Sequence, residues 1–347
     1  MKGLYRSAIA ALAAIGLVSA AAAQDMMDIK VGAATATDHV PAFAALERGI
    51  FAKHGLNAQI IMYPTGVEMI NGLMSGAQQV NIMGTIPFLA GVSNGLPLVL
   101  IGHQHADATQ DNYSTGHSII AGPDTGIESV ADLAGKRIGL PRGTGAEGYL
   151  LGMLQAAGVA EDDVTLVNVK PADTPTALAQ GDVDAIVGWE PWPSTAVVKA
   201  EGATRIAAGG CPTCYIPAAV LTTRSIIEEN PELLRRFSAA LSESQQWVRN
   251  NFEEAAEINM RWVPGVEIEI MKEAVRQASY DGRISAYLRE ELMNKTIPSL
   301  VAAGNLRSEF DPGEAIDAQF ILNTMGEHPE FFSDLPPIPE DKRLSLN

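Results

Sequence analysis

Two hydrophobic periods alternate along the first two thirds of this chain. Short apolar runs at 30–34, 57–62, 80–83, 98–101, 118–121, 137–140, 164–169 and 183–187 read as strands. Between them lie segments with apolar residues every three or four positions. Phe43, Leu46 and Ile50 form one such face, closed by Gly55, and Leu150, Met153, Leu154 and Ala157 form another at i, i+3, i+4, i+7. Strands that alternate with helices predict an α/β fold, with mostly parallel sheets carrying helices on both faces.

The pattern also repeats. A helix end at 73–76 leads through the strand 80–83 to Gly84-Thr85-Ile86-Pro87, and a helix end at 178–181 leads through 183–187 to Gly188-Trp189-Glu190-Pro191. The strands at 30 and 137 form a second pair, each running into a threonine-bearing turn and a helix. Two similar lobes are therefore expected, facing each other across a cleft. In such sheets ligands bind beyond the carboxyl ends of the strands, which collects Thr35, Thr37, Asp38, Thr85, Thr144, Trp189 and Glu190 on the cleft side.

The stretch 133–159 is the most informative. Its turn, 141–145, places Thr144 as a helix N-cap, and its glycines let backbone N–H groups approach a ligand. A helix start of this kind attracts an anion, so Thr144, Gly145 and the preceding Arg142 are candidate ligand contacts. The turn lacks the Gly-Lys-Thr/Ser of a phosphate loop and a full dinucleotide fingerprint, which argues against nucleotides. The polar run 102–116 reads as the crossover between lobes, with Tyr113, Ser114 and Thr115 facing the cleft. Its His103 and His105 invite a metal reading, but no neighbouring cluster completes a site. The segment 209–216, with Tyr215, reads as the return crossover. From 218 onward the texture is helical, with 231–250 the clearest helix, and the proline-rich 335–339 reads as a loosely attached terminus.

Charge and composition narrow the partners. The formal charge is −17 over 347 residues, which argues against nucleic acid and anionic membranes. Lys2 and Arg6 precede an alanine-rich apolar run from 8 to 23, ending at Ala21-Ala22-Ala23, the pattern of a secretory leader cleaved before Gln24. The expected product is an exported, soluble, periplasmic protein. Its two cysteines, Cys211 and Cys214, sit in one Cys-Pro-Thr-Cys stretch; in an oxidising compartment they read as a small-loop disulfide, with a redox-active pair as the alternative.

Gly181-Asp182-Val183-Asp184-Ala185 leading to Gly188-Trp189-Glu190-Pro191 resembles the periplasmic solute-binding proteins of the sulfonate, taurine and nitrate type, relatives of the thiamine-pyrimidine precursor binders. The stretch 133–138 before the threonine-glycine turn and the Asn230-Pro231-Glu232 helix start carry the same resemblance. It implies the type II binding-protein fold, with residues 24–115 and 216–347 as lobe I, 116–208 as lobe II, and 102–117 and 209–216 as hinge crossovers. It implies a non-enzymatic, monomeric component of an ABC importer that needs no cofactor and hands a small anion or zwitterion to a permease. A sulfonate or taurine is favoured; the alternatives are a thiamine-pyrimidine precursor, nitrate, an aromatic acid, or an enzyme on the same scaffold. In the sulfonate members turn hydroxyls and helix-start N–H groups hold the anion, here Thr35, Thr37, Thr85, Thr144 and Gly145. Where the family has Trp-Asp-Pro this chain has Trp189-Glu190-Pro191, so a carboxylate is kept on a longer arm. That carboxylate suits a ligand with N–H donors at one end, unless an internal partner such as Arg142 takes it.

Overall fold

The computed structural model describes residues 26–109 and 116–344. The expected leader at 1–23 and the candidates Tyr113 and Thr115 lie outside the described residues.

Ten strands form two five-stranded sheets. The first contains β1 (Met27–Ala34), β2 (Leu56–Tyr63), β3 (Val80–Gly84), β4 (Leu98–His105) and β10 (Ala218–Thr223), in the order β2-β1-β3-β10-β4. The second contains β5 (His117–Ala121), β6 (Arg137–Leu140), β7 (Thr165–Asn168), β8 (Ala185–Trp189) and β9 (Thr204–Ala208), in the order β7-β6-β8-β5-β9. Two sheets with matching order confirm the α/β class. They are mixed rather than mostly parallel, because β10 runs antiparallel to both β3 and β4, and β5 antiparallel to both β8 and β9. These are the strands that follow the two passages of the chain between sheets, and each enters its new sheet in reverse.

Two sequence expectations change here. Strand β4 continues through His105, four residues beyond the apolar run, so 102–105 are sheet and not crossover. All eight of its residues are buried; the ladder with β10 serves one side of the backbone, on the other the His103 N–H donates to the Gly282 carbonyl and the Asp317 N–H to the Leu100 carbonyl, and His105 finds an acid. Strand β10 itself was read as the start of the helical region. Its Thr222 and Thr223 are buried with the rest of the strand; Thr222 donates to the Gln79 carbonyl at 2.8 Å, and Thr223 caps the helix Arg224–Glu229.

Alternation along the strands divides the core. Val99, Ile101 and Val220 pack with Leu234 and Phe237 of the helix Pro231–Asn250 on one face of the first sheet. Leu100 and Leu221 face the other way, into a cluster that includes Met69, Phe88 and Leu89 and continues to Ile119, Leu140, Tyr149 and Leu150 of the second sheet. Each such fully buried side chain stabilises the fold by roughly 1.5–3 kcal/mol. The long helices after β10 cover the first sheet.

The chain between β9 and β10 is anchored on both lobes. Cys211 and Cys214 form a disulfide, and both are buried. They rest on the helix Gly145–Ala157 at Gly152, where a Cβ would come within 2.5 Å of the Cys211 sulfur. Thr213 donates to the Gly152 carbonyl at 2.9 Å. Tyr215 N–H donates to Thr296 Oγ1, and that hydroxyl donates back to the Tyr215 carbonyl, each at 2.9 Å.

The proline-rich tail is also fastened, contrary to its sequence reading. Arg283 forms a bidentate pair with Asp281 at 2.8–2.9 Å and donates to the Pro336 carbonyl at 2.9 Å, while Asp281 accepts from Ala108 N–H at 3.3 Å. Asp281 and Arg283 are both buried. Arg283→Ala leaves a buried carboxylate without its main partner, and is expected to cost about 3–5 kcal/mol in urea denaturation. A loss below about 1 kcal/mol would mean that this pair does not hold the tail.

Candidate functional site

The carboxyl ends of β1, β3, β6 and β8 converge on one cleft of about 680 Å³ of empty space, part of it continuous with solvent. Of the residues singled out from the sequence, Thr37, Asp38, Thr144, Gly145, Trp189 and Glu190 line it; Thr35, Thr85, Arg142 and Tyr215 do not.

The hydroxyls have structural partners. Thr37, in the turn after β1, donates both its N–H (3.1 Å) and its Oγ1 (3.2 Å) to the Glu190 carbonyl of the other lobe. The Thr35 carbonyl accepts from Trp192 Nε1 at 3.1 Å, a second bond across the lobes. Thr85 donates to the Pro217 carbonyl. Thr144 accepts from Ala146 N–H at 3.3 Å as the N-cap of the helix Gly145–Ala157 and donates to the Pro141 carbonyl at 2.7 Å.

The helix start carries a feature that the sequence reading passed over. Glu147, buried in the first turn, accepts from Gly143 N–H and pairs with Arg142 Nε at 2.8 Å. This explains why Arg142, partly exposed, turns away from the cleft. Glutamate at the third helical position reaching back to a turn N–H satisfies a helix-start donor, so part of the positive end is neutralised internally. The N–H groups of Thr144 and Gly145 remain, unused by other protein atoms among the described residues.

Glu190 is likewise engaged. Its carboxylate accepts from Arg205 Nη1 at 2.8 Å and from Ser194 N–H at 3.2 Å, so an internal partner holds it, Arg205 rather than Arg142. Arg205 carries no motif; only the pairing of β9 with β5 brings it to Glu190, a relation no local pattern signals.

Beneath Trp189 lies a cluster of ionisable groups. Asp38 accepts from or shares a proton with His105 Nε2 at 3.1 Å, and His39 Nε2 stands 3.9 Å from its other oxygen. Burial pushes the Asp38 carboxyl up, but His39, His105 and His117 outweigh it and hold the group at about 2. His39 has its Nδ1 on the Ala34 N–H at 3.1 Å, and burial lowers its pKa. His117 stacks on Tyr149 with centroids 5.6 Å apart and lies against Gly145, where a Cβ would fall 2.8 Å from its Nε2. That approach is why the helix must begin with glycine. Among the described residues no Lys or Arg lines the cleft, and no three His, Cys, Asp or Glu are grouped to hold a metal. The Trp189 ring lines the cleft, and its buried Nε1–H has no hydrogen-bond partner among the described residues.

Two sheets of this order, meeting over a cleft at their strand ends, define a two-lobed binding-protein architecture. The chain belongs to the NMT1/THI5-like family, whose profile matches residues 36–255. It is 23% identical over 292 residues, 83% of this chain and 86% of the other, to a Bacillus subtilis protein designated an aliphatic sulfonates-binding protein. The alkanesulfonate-binding protein SsuA of Xanthomonas axonopodis pv. citri, bound to MOPS, superposes with a TM-score of 0.72 at 20% identity, over 84% of this chain and 98% of that one. The desulfurization enzyme DSZB superposes with a TM-score of 0.62 at 17% identity, over 87% and 99%. The structural likenesses establish the periplasmic-binding-protein fold, which both binders and an enzyme use. No helix among the described residues is long and apolar enough to cross a membrane.

Asp38 binds fewer protons folded than unfolded between its folded value of about 2 and its ordinary 3.8. Its contribution to stability is therefore complete above pH 3.8 and lost as pH falls toward 2. Asp38→Asn is expected to flatten the loss of stability between pH 4 and 2, measured by denaturant titration at each pH. An identical slope in the two proteins would show that Asp38 is not held ionised.

Proposed function

We propose that this protein is the solute-binding component of an ABC importer, working as a monomer in the periplasm, where its two lobes close on a small zwitterion and deliver it to a permease. The observation that carries this is the placement of Asp38 on one lobe and the Thr144 and Gly145 N–H groups on the other, around one cleft. An ammonium or N–H donor fits against Asp38, a carboxylate that stays ionised at neutral pH. The acidic end fits against the helix start and the open Trp189 donor. A small aminosulfonate such as taurine has both ends.

Asp38 takes the role that sequence reasoning assigned to Glu190. Because no Lys or Arg lines the described cleft, a plain anion such as nitrate would meet Asp38 without a permanent cation to offset it. An aminopyrimidine is the second reading, favoured by the apolar wall of Met69, Met83, Pro87, Ile216 and Trp189, which suits a flat ring.

The same geometry favours capture over chemistry. The hydroxyls of Thr37, Thr85 and Thr144 each donate to a main-chain carbonyl and both cysteines are joined, so none of these stands as an activated nucleophile. The direct bonds from Thr37 to Glu190 and from Trp192 to Thr35 hold the lobes together at the cleft floor, so closure needs only the outer rims to approach.

A thermal-shift panel of taurine, ethanesulfonate, nitrate and 4-amino-5-hydroxymethyl-2-methylpyrimidine tests this. A ligand at about 100 times its Kd should add about 2.7 kcal/mol of stability and raise the midpoint by several degrees. Taurine is expected to shift the protein more than ethanesulfonate. Asp38→Asn should weaken taurine about 10- to 100-fold, the loss of a charge-assisted hydrogen bond. Trp189→Ala should weaken both sulfonates. A shift with the pyrimidine alone would move the assignment to the second reading, and taurine binding untouched by Asp38→Asn would overturn the role given to Asp38.

A further inference from the structure

One side chain of lobe II is buried in the core of lobe I. Trp192 opens the helix Trp192–Lys199, and its ring belongs to a hydrophobic cluster with Ala33, Val40, Phe43, Met271, Val275 and Tyr280. Every other buried member of that cluster lies within 33–44 or 248–280, on the first sheet and its helices. The indole Nε1 donates to the Thr35 carbonyl at 3.1 Å, and Trp192 is only 5% exposed. Burying an aromatic side chain removes about 150–250 Å² from water, so the insertion joins the lobes by apolar burial as well as by hydrogen bonds.

The same helix is rooted in lobe II. Ala196 and Ala200 pack in the second sheet's own cluster, with Ile120, Leu178 and Ile186. Positions four apart follow one stripe of a helix, so a single stripe has one end in each core. Pro191 and Pro193 flank Trp192 and restrict its backbone, while Thr195 donates its N–H and its hydroxyl to the Pro191 carbonyl at 2.9 and 2.8 Å. The ring is thus presented by a stiff turn. Trp189 and Glu190, just ahead of it, line the cleft. On the receiving side Ala278 belongs to the cluster and also lines the cleft, and Asp38 follows closely on Thr35.

Resting on the reading of this cleft as the ligand site of a two-lobed binder, we propose that Trp192 is a positioning residue. It is a plug that stays seated in lobe I with or without ligand, and it sets the spacing between the Trp189 wall and the Asp38 turn. Lobe motion is then a rocking about this plug, with the outer rims opening. Because the plug keeps the cleft partly assembled before a ligand arrives, less is ordered on binding, and apparent affinity rises with the fraction of molecules already competent.

Small-angle X-ray scattering of the ligand-free protein reads the lobe spacing. Trp192→Ala is expected to raise the radius of gyration. Trp192→Phe keeps most of the apolar bulk without the donor to Thr35, and should raise it less. Labelling with 5-fluorotryptophan gives one fluorine resonance for each of the four tryptophans, and Trp192→Phe identifies that of Trp192. This resonance should show little shift between H2O and D2O, before and after taurine is added. Isothermal titration with taurine and with 4-amino-5-hydroxymethyl-2-methylpyrimidine should find binding about 10-fold weaker in Trp192→Ala. Thermal melting checks the fold of both variants, and Trp192→Phe, with a smaller loss, carries the test if Trp192→Ala does not fold. A solvent-exposed Trp192 resonance in the ligand-free protein overturns the plug. An unchanged radius of gyration, or unchanged affinity in the folded variants, overturns the positioning role. If neither probe binds the wild type, the ligand class falls, while scattering and the fluorine spectra still decide the plug.

Discussion

One carbonyl oxygen takes two of the hydrogen bonds that join the two lobes of this protein. The Glu190 carbonyl takes two donors from Thr37, one from the backbone and one from the side chain, while the neighbouring Trp192 returns a bond to the Thr35 carbonyl. A carbonyl oxygen carries two lone pairs and can serve both donors. The Glu190 carboxylate is fixed within its own lobe by Arg205 and the Ser194 N–H. A buried carboxylate without such partners would cost several kcal/mol, so the ion pair and the interlobe contact depend on each other through one residue. Trp189, the preceding residue, stands in the cleft wall with its buried indole N–H unpaired among the described residues. The site's shape follows from this turn more than from any contact a ligand would make.

Much of this was legible in the sequence because it is local. Hydrophobic period marked eight of the ten described strands, the echo between 84–87 and 188–191 marked the paired turns, and the cap at Thr144 is a relation between neighbours. What escaped was either hidden by polar side chains or made by distant pairing. Strand β10 was masked by its threonines and by the helices that follow, and the end of β4 by its histidines, although both are buried. The partner of Glu190 was out of reach for a different reason. Arg142 and Arg205 are equally plausible on charge, and only strand pairing decides between them. The position of Glu147 was open to a closer reading, since an acid at the third position of a capped helix is a known helix-start signal.

The internal use of the threonines revises the way an anion is held. A hydroxyl near a cleft invites assignment to the ligand, yet Thr37, Thr85 and Thr144 each donate to a main-chain carbonyl. On the proposed reading, recognition then falls to the two helix-start N–H groups and to the Asp38 carboxylate. Backbone donors give direction with little charge. They suit a site that must discriminate among small ligands by the placement of donors and acceptors, and that must also let go.

The global charge sharpens that constraint. A chain of formal charge −17 cannot draw an anion by its overall field, so any preference for one must be created within the few ångströms of the cleft. The described lining offers backbone dipoles, imidazoles and the Asp38 carboxylate, and neither arginine nor lysine. A fixed guanidinium would bind an anion at every pH and hold it hard. On the proposed reading, Asp38 favours partners that bring their own positive end.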